Sequence, residues 1–145
     1  IIIRNNKMKN VFKAAILVTF VALSSTSVFA KIIENPIVFK KGSYGTNLKG
    51  TFKGDDEARY TLHAKAGQQL KFKIKSTKNL AYLNIYAPED KPGSAEAILK
   101  GAIVGSTGEI TLPETGQYTL QLYQMRNTAR RGEIVNFDIE LKIIN

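Results

Sequence analysis

Hydrophobic residues recur at every second position along most of this chain, and that period limits what it can fold into. Val135, Phe137, Ile139, Leu141 and Ile143 alternate with Asn136, Asp138, Glu140 and Lys142. Leu70, Phe72 and Ile74 alternate with Lys71, Lys73 and Lys75. Tyr118, Leu120 and Leu122 alternate with Thr119, Gln121 and Tyr123, and Tyr60, Leu62 and Ala64 with Arg59, Thr61 and His63. In an extended chain successive side chains point to opposite faces, so each run has one oily face and one wet face. Such runs are half-buried strands of antiparallel sheets, which must pack oily face to oily face. Turn formers separate them: Lys53-Gly54-Asp55-Asp56, Lys65-Ala66-Gly67-Gln68, Ser76-Thr77-Lys78-Asn79, Ser106-Thr107-Gly108 and Pro113-Glu114-Thr115-Gly116. Weaker strands are expected over 37–39, 48–52, 81–86, 102–104 and 109–112, and a turn or two of helix over 94–100. About eight short strands with almost no helix make an all-β protein, an antiparallel β-sandwich or flattened barrel.

The first 30 residues do not share this period. Met8 opens a segment with a positive start (Lys9, Lys13), an apolar stretch from Ala14 to Leu23, and small residues up to Ala30. That order is the pattern of a secretory signal peptide cleaved after Ala30, which directs the product to export. The apolar stretch is too short to cross a hydrocarbon core of about 30 Å at about 1.5 Å per residue. Residues 1–7 read as an upstream extension of the reading frame. The domain is then 31–145, a single unit without repeats or linkers. The full chain has 21 Lys and Arg against 12 Asp and Glu, a net charge of +9. Removing residues 1–30 takes four of the 21 basic residues (Arg4, Lys7, Lys9 and Lys13) and none of the 12 acids, which leaves 17 against 12, or +5. That surplus is too modest to define a polyanion-binding protein, and neither nucleic acid nor, after cleavage, a membrane is an expected partner.

The side chains that usually carry catalysis are scarce. The chain has no cysteine, which excludes disulfide scaffolds, thiolate zinc sites and cysteine nucleophiles. Its one histidine, His63, falls on the polar side of a strand. No phosphate-binding glycine loop, metal-binding histidine pair or nucleophile elbow is present. Asp55, Asp56 and Glu57 share one turn. Adjacent turn carboxylates suit neither the spaced pair of a glycosidase nor the alternating ligands of a calcium loop, so a solvated turn is expected. Lys71, Lys73 and Lys75 form a basic stripe without aromatic partners for base stacking, and are read as protection of an exposed sheet. No cofactor and no enzymatic activity are expected.

Two loops stand out. Tyr123 to Gly132 (YQMRNTARRG) lies between two strong strands. Arg126 and Arg130 are four residues apart, and in a helical turn both guanidiniums would share one side. Two like charges so aligned gain from a carboxylate partner, to which each Arg offers a planar fork. That partner could lie on another protein, or could be Asp55, Asp56 or Glu57 of the same chain. The second loop, Leu112 to Leu120 (LPETGQYTL), carries Thr115 and Tyr118. A tyrosine at a sandwich corner commonly locks the turn through backbone hydrogen bonds; alternatively Thr115 and its neighbours form a protruding tip.

These loops carry a resemblance. Phe39-Lys40-Lys41-Gly42, Gly50-Thr51-Phe52-Lys53-Gly54, Tyr60-Thr61, Ala64-Lys65-Ala66-Gly67-Gln68, Leu112-Pro113, Gly116-Gln117-Tyr118 and Arg126-Asn127-x-Ala129-Arg130 resemble stretches of the bacterial periplasmic inhibitors of goose-type lysozyme, with the invertebrate-type lysozyme inhibitors related to them. The likeness runs from about Val38 to Ile143, and the arginine motif is its most specific part. It implies a small β-sandwich that occludes the acidic active-site cleft of a lysozyme. It implies Arg126, Asn127 and Arg130 as inhibitory contacts. The invertebrate-type inhibitors use a loop of Ser-Gly-x-Tyr form, which the resemblance places here at Thr115-Gly116-Gln117-Tyr118, with threonine in place of serine. After the Lys53-Gly54 turn the goose-type inhibitors can carry a functional tyrosine; this chain has Asp55, whose carboxylate would meet the acids of the enzyme unfavourably. The glycine turns also occur in binding modules appended to secreted peptidases and in carbohydrate- or peptidoglycan-binding sandwiches. An exposed edge strand could support pairing of two copies.

Overall fold

In the computed structural model, which describes residues 29–145, the chain is a β-sandwich of two four-stranded sheets. The expected signal peptide over 1–30 lies, up to Val28, outside the described residues. The strands are β1 (Ile32–Pro36), β2 (Gly45–Lys53), β3 (Glu57–Ala64), β4 (Gln69–Ser76), β5 (Tyr82–Tyr86), β6 (Thr107–Thr111), β7 (Gly116–Tyr123) and β8 (Ile134–Ile144). One sheet has the order β1-β3-β7-β5 and the other β2-β8-β4-β6. The alternating runs are the inner rows. Tyr60 and Leu62, Leu83 and Ile85, and Tyr118, Leu120 and Leu122 face Leu70, Phe72, Ile74, Val135, Phe137, Ile139 and Leu141, all buried. Each fully buried large side chain of this kind contributes about 1.5–3 kcal/mol relative to exposure. Phe137 is central: its ring lies 5.9 Å from that of Phe52 and meets Tyr60 edge-on at 6.5 Å. Gly50, opposite Phe137 in the register, and Gly108, opposite Phe72, leave space for those two rings.

The all-β expectation holds, with three differences in detail. First, β1 runs parallel to β3, from Ile32 opposite Glu57 to Pro36 opposite Thr61, whereas every other pair is antiparallel. It lies just before the expected strand at 37–39, and all five of its residues are exposed. With no buried face, it has no alternation to detect. Second, 102–104 belongs to a single helical turn, α1 (Gly101–Val104), instead of a strand. The open edge of β5 is already met by Ile98 and Leu99, through Ile98 N–H to Ile85 O at 2.8 Å and Ile85 N–H to Leu99 O at 3.0 Å. The chain then turns against β5 at Gly101, where a Cβ would overlap the Leu83 backbone. Third, 94–100 forms bends and that edge contact in place of a helix.

The lysine stripe on β4 is compensated by its neighbours. Lys71 pairs with Glu109 at 3.5 Å, Lys73 lies opposite Glu140 and Lys75 opposite Asp138. This outer face is a lattice of mixed charge, which discourages sheet-to-sheet association. His63 is exposed, as expected for a strand histidine.

Because Gly101 is pressed against backbone and not a movable side chain, Gly101→Ala should destabilise the domain by about 1–3 kcal/mol. A lowered urea midpoint with an unchanged slope would show it; an unchanged midpoint would mean that the α1 packing is looser than described.

Candidate functional site

Between β7 and β8 the chain forms one short helix, α2 (Arg126–Arg130). Its inward residues are Thr128 and Ala129, both buried. Thr128 Oγ1 donates to Met125 O at 3.0 Å, and Ala129 N–H closes the turn onto Met125 O at 2.9 Å. The Asn127 side chain accepts from Thr128 N–H at 2.9 Å. With 128 and 129 turned in, Arg126, Asn127 and Arg130 are left exposed, and Arg131 follows them. The i, i+4 spacing thus places both arginines on one outward side, as the motif implied.

The turn between β2 and β3 abuts this helix. Gly54 has φ +59°, and a side chain there would press on Ala129 O. Gly54 N–H donates to Glu133 O at 3.0 Å. Gln124, buried at the end of β7, donates through Nε2 to Gly54 O at 3.0 Å and to Glu133 O at 2.8 Å. One amide therefore ties the β2–β3 turn, the end of β7 and the start of β8 together. Asp55 is consequently at the same end of the sandwich as the arginines, and is exposed.

Nearby acids are already engaged. Glu57 binds Arg59 and Gln121. Asp56 accepts from Lys31 N–H at 2.6 Å. Glu133 pairs with Lys78 at 3.3 Å. Among the described residues, Arg126, Arg130, Arg131 and Asp55 take part in no ion pair. The internal pairing of Arg126 or Arg130 with Asp55, Asp56 or Glu57 does not occur. Also among the described residues, no group of three His, Asp or Glu is placed to hold a metal ion.

The second loop lies elsewhere. Thr115 and Tyr118 sit at the start of β7, and α2 follows its other end. Eight residues at about 3.3 Å each separate the two by roughly 25 Å. Tyr118 is fully buried; its hydroxyl accepts from Glu114 N–H at 2.9 Å and donates to Glu114 O at 2.6 Å. Thr115 Oγ1 accepts from Ala66 N–H at 3.0 Å. The Thr-Gly-x-Tyr loop is thus built as a locked corner, and the structure does not bring it together with Arg126, Asn127, Arg130 and Asp55.

Two residues the sequence did not single out share the arginine end. Tyr82 and Tyr123 are the last register pair of their sheet, half-buried on its outer face with rings 6.0 Å apart. Burial raises the Tyr123 phenol above its usual range, so it stays neutral, while a hydrogen bond from its hydroxyl to Asn84 acts weakly the other way. The signal was present in the alternation, which points Tyr123 outward against the trend of its neighbours.

Fold and site define a small β-sandwich protein with a braced turn that leaves Arg126 and Arg130 exposed at one end. The chain is 31% identical over 137 residues to the inhibitor of g-type lysozyme of Escherichia coli strain K12, covering 94% of this chain and 98% of that one. Its fold is similar to the solved PliG, a periplasmic inhibitor of g-type lysozyme, of Aeromonas hydrophila (TM-score 0.75, 42% identity, 80% of this chain and 100% of that one). It is also similar to an Escherichia coli PliG mutant (TM-score 0.62, 26% identity, 79% and 100%) and to Salmonella Typhimurium PliG (TM-score 0.59, 26% identity, 80% and 100%). No family model matches. The chain belongs to the family of g-type lysozyme inhibitors.

Two substitutions separate bracing from contact. Gln124→Leu strands the Gly54 carbonyl, leaves Glu133 O with the Gly54 N–H alone, and should cost about 1–2 kcal/mol in urea unfolding. Tyr118→Phe removes both bonds to Glu114 and should cost about 1–2 kcal/mol by the same measurement; full stability in either variant would contradict the assigned role.

Proposed function

We propose that this protein is a periplasmic inhibitor of goose-type lysozyme that presents the Arg126–Arg130 end to the enzyme's active-site cleft and has no catalytic activity of its own. Lysozymes cleave glycan through carboxyl groups facing a groove. A guanidinium held at that groove pairs with carboxylate through charge-assisted, two-pronged bonds and excludes the sugar chain. The single observation that carries the proposal is that Arg126 and Arg130 project from a braced turn and, among the described residues, form no ion pair. Rigidity matters because side chains and loops already fixed before binding lose less freedom on association. Asn127 shapes the turn by accepting from Thr128 N–H, and its exposed edge flanks the two arginines. Asp55 is the discordant member, since a carboxylate entering an acidic groove is repelled. Thr115 and Tyr118 hold the opposite corner and lie outside this contact. Export by the segment ending at Ala30 would place the inhibitor where an incoming lysozyme meets the cell wall.

The test is an inhibition panel with purified protein against chicken-, goose- and invertebrate-type lysozymes acting on peptidoglycan. Goose-type lysis should be blocked near stoichiometry; full activity of all three would end the proposal. Arg126→Ala and Arg130→Ala should each weaken inhibition by roughly 10- to 100-fold at unchanged melting temperature. Raised salt should mimic part of that loss. Asp55→Asn should strengthen inhibition several-fold, and a weakening would place Asp55 against a cation of the enzyme instead.

A further inference from the structure

Residue 31 is the first residue after the expected cleavage point, and its backbone nitrogen is already held by a carboxylate. Lys31 N lies 2.6 Å from Asp56 Oδ1, and Lys31 O accepts from Glu57 N–H at 3.0 Å. From there the chain enters β1, paired in parallel with β3. While residue 30 is attached, that nitrogen is a neutral amide. Hydrolysis of the Ala30–Lys31 bond adds one water across it: the carboxylate leaves with Ala30, and Lys31 keeps an α-amine that is protonated at neutral pH. The bond to Asp56 then becomes one between an ammonium and a carboxylate, roughly twice as strong as its neutral counterpart.

We propose that Asp56 is the capture site for the N-terminal ammonium released at Lys31, so that removal of the leader braces the turn at the inhibitory end. This rests on the reading of residues 1–30 as a leader removed after Ala30, and not on the identity of the target. Three features support it. Asp56 forms no ion pair with any side chain among the described residues, so its charge is available. The adjacent Glu57 is occupied by Arg59 and Gln121, which leaves Asp56 as the acceptor next to the terminus. Asp56 N–H also closes the turn onto Lys53 O at 3.0 Å, and within that turn Gly54 is bonded to Gln124 and Glu133. Fixing the Asp56 side chain therefore fixes the loop that carries Asp55 and abuts α2. Loss of this contact would free five exposed residues of β1, a strand with little buried surface of its own to hold it in place.

The experiment exports the full precursor and compares four products: the natural chain, one with Gly-Ser inserted between Ala30 and Lys31, Asp56→Asn, and the two changes combined. Mass spectrometry first reads the N-terminus of each. The natural product should begin at Lys31 and melt about 2–5 °C above the extended one. In the Asp56→Asn background, which keeps an acceptor but no charge, that difference should vanish. Amide exchange over 32–36 should be slowest in the natural product. Equal melting of the natural and extended products, persistence of the difference in Asp56→Asn, or a mature terminus other than Lys31 would each overturn the proposal. The melting cycle needs no lysozyme, so a failure of the inhibitor reading shows separately, as an inactive natural product.

Discussion

Gln124 makes the interaction on which the Arg126–Arg130 end of this molecule depends. The chain crosses from one sheet to the other between β7 and β8, and it does so in a single short helical turn. Such a helix has no stability of its own, since nucleation is unfavourable and few bonds follow it. It persists because its ends are fastened. The Gln124 amide donates to a carbonyl in each of two other segments, Gly54 and Glu133, and Gly54 donates back to Glu133. Buried and doubly bonded, this side chain converts three chain ends into one rigid corner. Gly54 is part of the same device, because its positive φ and lack of a side chain let the turn approach Ala129.

Charge is distributed on the same logic. The acids of the domain are mostly spent inside it: Glu57 on Arg59 and Gln121, Glu133 on Lys78, Glu109 on Lys71, Asp138 on Lys49. Most of these are surface pairs whose individual worth is small. They even out the field over part of the sheets, and among the described residues Arg126, Arg130 and Arg131 stay outside every such pair. The net positive charge is therefore less informative than its placement, because only unpaired arginines on fixed backbone can offer a preset fork to a carboxylate.

The strands were legible because burial of one face enforces period two, and a slip of one residue would expose an entire row. Val135 to Ile143 could be read directly for that reason. What the period does not encode was missed. β1 is exposed on every residue and has no pattern. Ala102 to Val104 has apolar composition but follows Gly101, whose steric role is visible only once Leu83 lies behind it. Of the candidate site, the outward pairing of Arg126 and Arg130 followed from their spacing. The closeness of Asp55 to them did not, because it depends on a turn more than 70 positions earlier being tied back by Gln124.

The separation of the two loop motifs shows how such resemblances should be weighed. In the corner loop every distinctive residue has a task within the fold. Tyr118 fastens Glu114, Thr115 caps Ala66, and Gly116 leaves space for Pro88. Folding alone accounts for that pattern. In the arginine motif the division is different. Asn127 and Ala129 are used by the turn, one as an acceptor for Thr128 and the other packed under Gly54. Arg126 and Arg130 are used by nothing in the described domain, although two aligned like charges cost a few tenths of a kcal/mol. A residue pair that the fold tolerates at a cost and does not employ is one whose partner lies outside the molecule. That criterion supports the proposed contact at the end of the sandwich closed by Gln124, while the fold accounts for the opposite corner.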